Sequence, residues 1–387
     1  MAEKPVYNFL KKKYGFSYTP FDTKGRPFLV LANHQTGMDQ FMVQFPFNEY
    51  CYPIASEDIF SISLGKLLVW AVAPIPITKG QINIKTILTC KQVAKQNKSI
   101  MLHPEGNRTY SGKTEYISPA IAKLAKVLKL PLAFLLIRGG YGVQPRWSDE
   151  VRKGKMHSSV ESVMEPEEYL AMTDEELYDE ICKRLFIDES VDDGQRYEGK
   201  AIAQYLERAI YYCPKCGVTH FISKGNSFKC TTCGLEVFYQ PNKQFITADG
   251  SAPPYHNVNE WYEAQKEFVR QYQPTGNGAE ITRDCIKISK VFLLKKKRKV
   301  CKKAQIVLMD NGIKVISKKY NWNKNFDNEI TSMAVLGKNK LNIIFADNEI
   351  LQVEGDKRFN ALKYANFFFR HKNYKEGNNA TSQFLGL

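Results

Sequence analysis

Phe28-Leu29-Val30-Leu31-Ala32-Asn33-His34-Gln35-Thr36-Gly37-Met38-Asp39 is the stretch from which the fold of this chain can be read. Its first four residues are apolar and β-compatible, and turn formers close the run, which predicts a short buried strand. Parallel α/β sheets carry their chemistry at the carboxyl ends of strands. Here that end presents Asn33 and His34. Residues five apart do not face each other on a regular helix. For Asp39 to touch His34, the imidazole must stand in the turn before a helix, a turn that Gly37 permits. A carboxylate on one ring nitrogen leaves the other free as a general base.

A second stretch repeats the layout. Ser99-Ile100-Met101-Leu102 runs into His103-Pro104-Glu105-Gly106-Asn107-Arg108-Thr109. This polar loop supplies an acid, a flexible Gly and an Arg whose fork suits a phosphate. A base in one loop and an anion clamp in the other suit a reaction at a hydroxyl near a phosphate.

At these residues the chain resembles the glycerophospholipid acyltransferases that acylate lysophosphatidic acid. The blocks that carry the resemblance are Asn33-His34 with Asp39, then Ala73-Pro74-Ile75-Pro76-Ile77-Thr78-Lys79-Gly80, then Pro104-Glu105-Gly106-Asn107-Arg108-Thr109, then the Pro-led strand Leu130-Pro131-Leu132-Ala133-Phe134. They fall in family order over roughly residues 20 to 150, and four ordered blocks are far more specific than one His-x4-Asp. The resemblance implies His34 as base, Asp39 as its orienter, and Arg108 with Lys79 on the phosphate. It also implies an acyl thioester as co-substrate, either acyl-CoA or acyl carrier protein. Members often carry Arg where Lys79 stands, and Lys offers only a point charge. Glu105 is expected either to orient glycerol or to support Arg108, and Gly106 to let a backbone amide approach the substrate. His103 is expected to be a structural neighbour, since no carboxylate follows it at comparable spacing.

At 387 residues, 43% of them hydrophobic, the chain can build two or three compact units. A formal charge of +15 points to an anionic partner: a membrane surface, a nucleic acid or a phosphorylated substrate. Met1-Ala2-Glu3-Lys4-Pro5 does not read as a signal peptide. The apolar run Leu67–Ala73 is far shorter than the roughly 20 residues of a membrane span. The expected place is therefore the cytoplasm, peripheral on the inner face of the membrane. Nine cysteines, four of them in tight pairs, fit a reducing compartment.

Around the opening strand the pattern alternates strand and helix, giving a sheet with flanking helices. Tyr7, Phe9, Leu10 and Lys11-Lys12-Lys13 form either a basic anchor on lipid or a solvated helix. Tyr52–Ala55 predicts a strand. Ile59–Ala73 predicts an apolar helix stopped by Pro74, either core or a membrane-facing acyl groove. Ile82–Gln96 predicts a helix, Ser118-Pro119 a helix start, and Pro131–Ile137 a strand. Gly139 and Gly140 either permit a turn or admit a ligand near the backbone. Arg146-Trp147 and Arg152-Lys153-Gly154-Lys155 suggest a lipid-headgroup surface. Residues 165 to 209 predict acid-rich helix.

Cys213-Pro-Lys-Cys216-Gly and Cys230-Thr-Thr-Cys233-Gly are two matching knuckles that describe a four-cysteine zinc ribbon holding a structural Zn2+. His220, in the insert, is expected at the surface. From Cys285 onward strands follow one another: 286–294, 304–309, 313–317, 330–336, 341–345 and 350–353, with a closing helix over 358–370. That order resembles a pleckstrin-homology-like barrel. Its Lys295-Lys296-Lys297-Arg298-Lys299 run either meets anionic lipid or is a solvated hairpin.

The expected fold class is thus an α/β acyltransferase sheet with flanking helices over 1–209 and a zinc ribbon over 210–241. A linker with one helix spans 242–280, a pleckstrin-homology-like β domain 281–375, and a disordered tail 376–387. The expected reaction is acyl transfer to the sn-2 hydroxyl of 1-acyl-glycerol-3-phosphate, making phosphatidic acid. The partners are the lysophospholipid, the acyl donor and an anionic membrane surface. The nearest alternative acceptor is another lysophospholipid. A zinc-ribbon nucleic-acid-binding protein is the rival of another class, but Lys215, Lys224 and Lys229 are few for such a ribbon, and no nucleic acid is expected. A hydrolase is disfavoured because no Gly-x-Ser-x-Gly elbow is present.

Overall fold

The computed structural model describes residues 3–56, 72–77, 84–292, 295–318 and 320–377. Lys79, nearly all of the apolar run Ile59–Ala73 and the tail beyond residue 377 lie outside them. The chain divides into two units. The first is Met1–Arg146 with Glu150–Gly199, and the second is Trp147–Asp149 with Lys200–Leu387.

The first unit is built on strands β1 (Phe16–Tyr18), β2 (Leu29–Ala32), β3 (Cys51–Ser56), β4 (Ile75–Ile77), β5 (Ser99–Leu102), β6 (Leu132–Arg138) and β7 (Met156–Met164). Their order across the sheet is β1-β7-β6-β2-β5-β3-β4. β6, β2, β5, β3 and β4 run parallel, and β7 turns back antiparallel to β6. β2 sits at the centre with all four residues buried. It reads as a continuous apolar run because both of its faces are covered. Leu29 and Leu31 pack on one side with Ile121, Leu124 and Leu128 of α4 (Ala120–Leu128) and Leu177 and Ile181 of α5 (Asp174–Leu185). Val30 and Ala32 pack on the other with Leu10 and Tyr14 of α1 (Glu3–Tyr14) and Met42 of α2 (Asp39–Met42). Burying such a Leu or Val side chain contributes about 1.5–3 kcal/mol, and β2 gains it on both faces. Helix α3 (Ile84–Lys95) precedes β5 in the chain.

Several expectations are corrected here. Residues 165–209 are not one helical region: helix covers Pro166–Tyr169 and Asp174–Leu185, and the chain then bends through a stretch rich in Asp and Gly. β7 went unseen because its Ser-rich sequence shows no clean alternation. Of the residues expected to form a lipid-headgroup surface, Lys153 and Lys155 are exposed but the other large side chains are not. Arg146, Trp147 and Arg152 are all buried, with Arg152 donating to the carbonyl of Gly142. Gly139 and Gly140 serve the protein itself. Gly139 has φ +77°, and a Cβ on Gly140 would collide with the Gln35 side chain.

In the second unit, β8 (Tyr212–Cys213) pairs with β9 (Gly217–Val218), and β10 (Phe221–Lys224), β11 (Ser227–Cys230), β12 (Glu236–Tyr239) and β13 (Phe245–Ile246) form a four-stranded sheet. Phe221 and Phe228 stack at 4.5 Å, and both meet edge-on Trp261 of α6 (Val258–Gln271). That helix is therefore packed against the ribbon, not strung along a linker. Gln265 reinforces the packing, donating to Ala209 O and accepting from Tyr211 N. Residues 200–209, expected with the first domain, cluster with the second unit.

The C-terminal sheet has seven antiparallel strands. They are β14 (Glu280–Phe292), β15 (Lys295–Met309), β16 (Gly312–Ile316), β17 (Trp322–Asn325), β18 (Ile330–Leu336), β19 (Lys340–Phe345) and β20 (Ile350–Gly355). The order β17-β16-β15-β14-β20-β19-β18 places the first strand between the second and the last. β17 was not anticipated, because Trp322-Asn-Lys-Asn carries no apolar alternation. Residues 295–299 belong to β15, paired with β14 through Lys290↔Arg298. A closing helix α7 spans Leu362–Lys375, starting later than expected, and its Tyr364, Phe367 and Phe368 are buried.

Candidate active site

Register places the two polar loops side by side. Leu31 pairs with Leu102 across β2 and β5, so both strands hand over to their loops at the same edge of the sheet. Asn33 extends the ladder with its side chain. Its amide donates to Ile137 O (2.9 Å) and accepts from Ile137 N (2.8 Å), the exchange a strand residue would make. The next residue is thereby turned out of the sheet, and that residue is His34.

His34 Nδ1 lies 2.9 Å from Asp39 Oδ2, with the carboxylate fully buried and the imidazole side chain 25% exposed. The aspartate also organises the turn. Oδ2 accepts the amides of Gln35 (2.5 Å) and Thr36 (2.8 Å), and Oδ1 accepts the Thr36 hydroxyl (2.5 Å). Burial pushes the Asp39 carboxyl up, but the hydrogen bond and charge of His34 and the hydrogen bond from Thr36 outweigh it and hold it below its usual range. Asp39 is therefore an anion that keeps a proton on Nδ1 and leaves Nε2 as the acceptor. Gly37 is not in the left-handed region, so its backbone freedom is not what makes the turn. A Cβ on Gly37 would stand 3.8 Å from Arg108 Nη1, an ordinary contact, which sets the Arg108 guanidinium beside this turn.

The second loop meets this turn closely. Glu105 Oε1 accepts His34 N (2.9 Å), Glu105 Oε2 accepts Glu115 N (2.8 Å), and Thr109 N donates to His34 O (2.9 Å). Both Glu105 oxygens are thus occupied by backbone amides. Burial pushes the Glu105 carboxyl up to about 8, against the two amide hydrogen bonds. Gly106, at φ +64°, closes a turn with its amide on His103 O (3.0 Å). Arg108 has no carboxylate partner among the described residues. Burial, and then the charge of Arg146, lower it to about 10. Arg146 lies 4.1 Å over the Tyr110 ring and donates to Arg108 O (2.9 Å), a tie that no local motif signalled.

Sequence reasoning also missed an apolar groove of about 310 Å3 lined by Pro5, Val6, Phe9, Met38 and Phe41. It lies between α1 and the start of α2, next to Asp39. The signal was the partly exposed Phe9 on a helix that docks through Leu10 and Tyr14.

The four cysteines of the ribbon come together. Their sulfurs lie within 4.8 Å of one another, Cys213 to Cys233 at 3.6 Å and Cys216 to Cys230 at 4.0 Å. A tetrahedral Zn–S distance of about 2.3 Å sets sulfurs about 3.8 Å apart, and a disulfide needs about 2.05 Å. The donor set fits a metal. His220 stands outside it, 3.1 Å from Asp284.

Residues 16–137 match the family model described as Acyltransferase, which supports an acyltransferase-type domain there. Among solved structures, the 1-acyl-sn-glycerophosphate (LPA) acyltransferase PlsC from Thermotoga maritima is similar, with 19% identity and a TM-score of 0.38, covering 48% of this chain and 78% of that one. No curated protein sequence matches the chain.

Proposed function

We propose that the first unit transfers an acyl group from an acyl thioester to the free sn-2 hydroxyl of a 1-acyl-glycerol-3-phosphate, making phosphatidic acid. The observation that carries this is the His34–Asp39 pair at the end of β2, with Arg108 reaching into the same turn. His34 Nε2 takes the hydroxyl proton as the oxygen attacks the thioester carbonyl. Asp39 fixes the tautomer and stabilises the imidazolium. Collapse of the tetrahedral intermediate expels the thiolate, which recovers that proton and leaves as free thiol. The thioester is already activated, so no enzyme nucleophile is required. Arg108 grips the phosphate bidentately and so positions the hydroxyl, and Lys79 completes the grip. The groove beside Met38 and Phe41 takes an acyl chain, being apolar and adjacent to the base.

The four-cysteine cluster holds a structural Zn2+, which when bound ties the two knuckles together. The C-terminal sheet with its closing helix is a pleckstrin-homology-like domain, a reading supported by strand order and the position of α7. No helix among the described residues is long and apolar enough to cross a membrane. We place the enzyme peripherally on the inner membrane face, a reading supported by exposed Phe9 and Lys11–Lys13 on α1.

The test is thiol release from acyl-CoA and from acyl carrier protein with a panel of lysolipids. Release is expected to need an acceptor and to be fastest with lysophosphatidic acid. Equal rates with neutral lysolipids would remove Arg108 from its role.

A further inference from the structure

His103 lies flat against the base. Its ring stacks on that of His34 with centroids 4.2 Å apart and planes 12° from parallel. Its Nδ1 is 2.9 Å from Asn33 O and 3.1 Å from Ala32 O, the carbonyls of the two residues that deliver His34. Both partners are acceptors, so the proton sits on Nδ1 and Nε2 carries a lone pair. That Nε2 is buried and has no hydrogen-bond partner. Protonating it would leave a covered N–H unpaired and set a second positive charge against the face of His34. Burial, then the charge of His34, lowers the His103 ring to about 4, with Asp39 and the two carbonyls opposing.

From this we propose that His103 is a positioning residue for the base: a permanently neutral imidazole whose face holds the His34 ring in plane and steadies the imidazolium formed during proton transfer. The inference rests on His34 being the base. A neutral π face stabilises a cation laid over it, while the ring itself never competes for the proton. The imidazole that gains charge is the one bonded to a carboxylate, and the imidazole that stays neutral is the one bonded to carbonyls. Other titratable groups around the pair are Asp39 from α2, Glu105 and Arg108 from the second loop, Arg146 behind Arg108, and Tyr14 at the end of α1. Among the described residues, none of these is hydrogen-bonded to the His103 ring.

Two variants separate this role from a merely structural one. His103→Phe keeps the face and loses the backbone hydrogen bond, whereas His103→Leu loses both. In His103→Leu, kcat should fall roughly three- to thirtyfold, the span that a cation–π contact covers, with KM for lysophosphatidic acid unchanged. The acid limb of its kcat/KM profile should move toward lower pH. His103→Phe should keep the limb in place and most of kcat. Equal losses in both variants, or an unchanged limb in His103→Leu, would overturn the proposal.

The second measurement needs no variant and no substrate. In the full wild-type chain with 15N-labelled histidine, His103 should show a protonated Nδ1 and a bare Nε2 from pH 8 down to about 5. A proton on His103 Nε2 within that range would also overturn it. Because this arm reads the free protein, it separates failure of the pair from failure of the acyltransfer reading, which thiol release tests alone.

Discussion

Of the three histidine–aspartate pairs among the described residues, His34–Asp39 in the first unit and His220–Asp284 in the second are built to opposite ends, while the third, His371–Asp327, holds α7 within the second unit. His34 and Asp39 are 2.9 Å apart, His220 and Asp284 3.1 Å. The difference lies in what else each carboxylate holds. Asp39 is satisfied by neutral donors, two amides and a hydroxyl, so its charge remains for an imidazolium. Asp284 already pairs with buried Lys363 at 2.7 Å and accepts the Tyr364 hydroxyl at 2.7 Å, so its charge is neutralised within the fold. His220 is an exposed addition to that pair. A short His–Asp distance therefore does not mark a base; the partners of the aspartate do.

Substitution should expose this contrast most sharply at the bases. His34→Ala should lower kcat about 10²- to 10⁴-fold, the usual worth of general base catalysis. His220→Ala should leave kcat unchanged. A comparable loss in both would erase the distinction. The aspartates should separate by observable. Asp39→Asn should lower kcat by about 10²-fold or more, by disturbing the tautomer. Asp284→Asn should show up in denaturant unfolding, at about 3–5 kcal/mol, because Lys363 is left as an unpaired buried cation.

Acid should act on the second pair too. Burial pushes Asp284 up, but hydrogen bonds from His220, Lys363 and Tyr364 and the Lys363 charge hold its carboxyl at about 2, below its unfolded value. Its stabilisation is thus present at neutral pH and is lost as pH falls toward about 2. Melting of the wild type should steepen over that acid range, and Asp284→Asn should flatten it. Smaller still is the effect expected at Glu105, whose two oxygens each accept an amide. Glu105→Gln keeps one acceptor and turns an NH2 toward the other donor, which costs about 1–3 kcal/mol. Arg108 need not move, so KM for the lysolipid should stay near the wild-type value while kcat falls. A rise in KM with kcat unchanged would return Glu105 to substrate binding.

Much of this was legible in the chain itself. The run Leu29–Ala32 announced a doubly covered strand, and the spacing of Asn33, His34 and Asp39 announced a turn with an imidazole in it. Four cysteines in matching knuckles announced their own cluster. The hidden parts are those where long-range packing overrides local pattern. Arg146 and Arg152 read as surface because Arg usually is, yet both are buried and donate to backbone carbonyls, of Arg108 and Gly142, that no local pattern pairs with them. His103 read as a bystander because its partners, the carbonyls of Ala32 and Asn33, lie some 70 positions upstream. β17 and β7 have polar sequences, so their strand character comes from the neighbours they pair with.

The most direct measurement is the intact mass of the protein after single-turnover mixing with an acyl thioester, with and without lysophosphatidic acid. A base acting on the acceptor hydroxyl predicts an unchanged protein mass in both mixtures, with thiol released and phosphatidic acid formed only when the acceptor is present. An acyl adduct on the chain, or thiol released without any acceptor, would contradict the account.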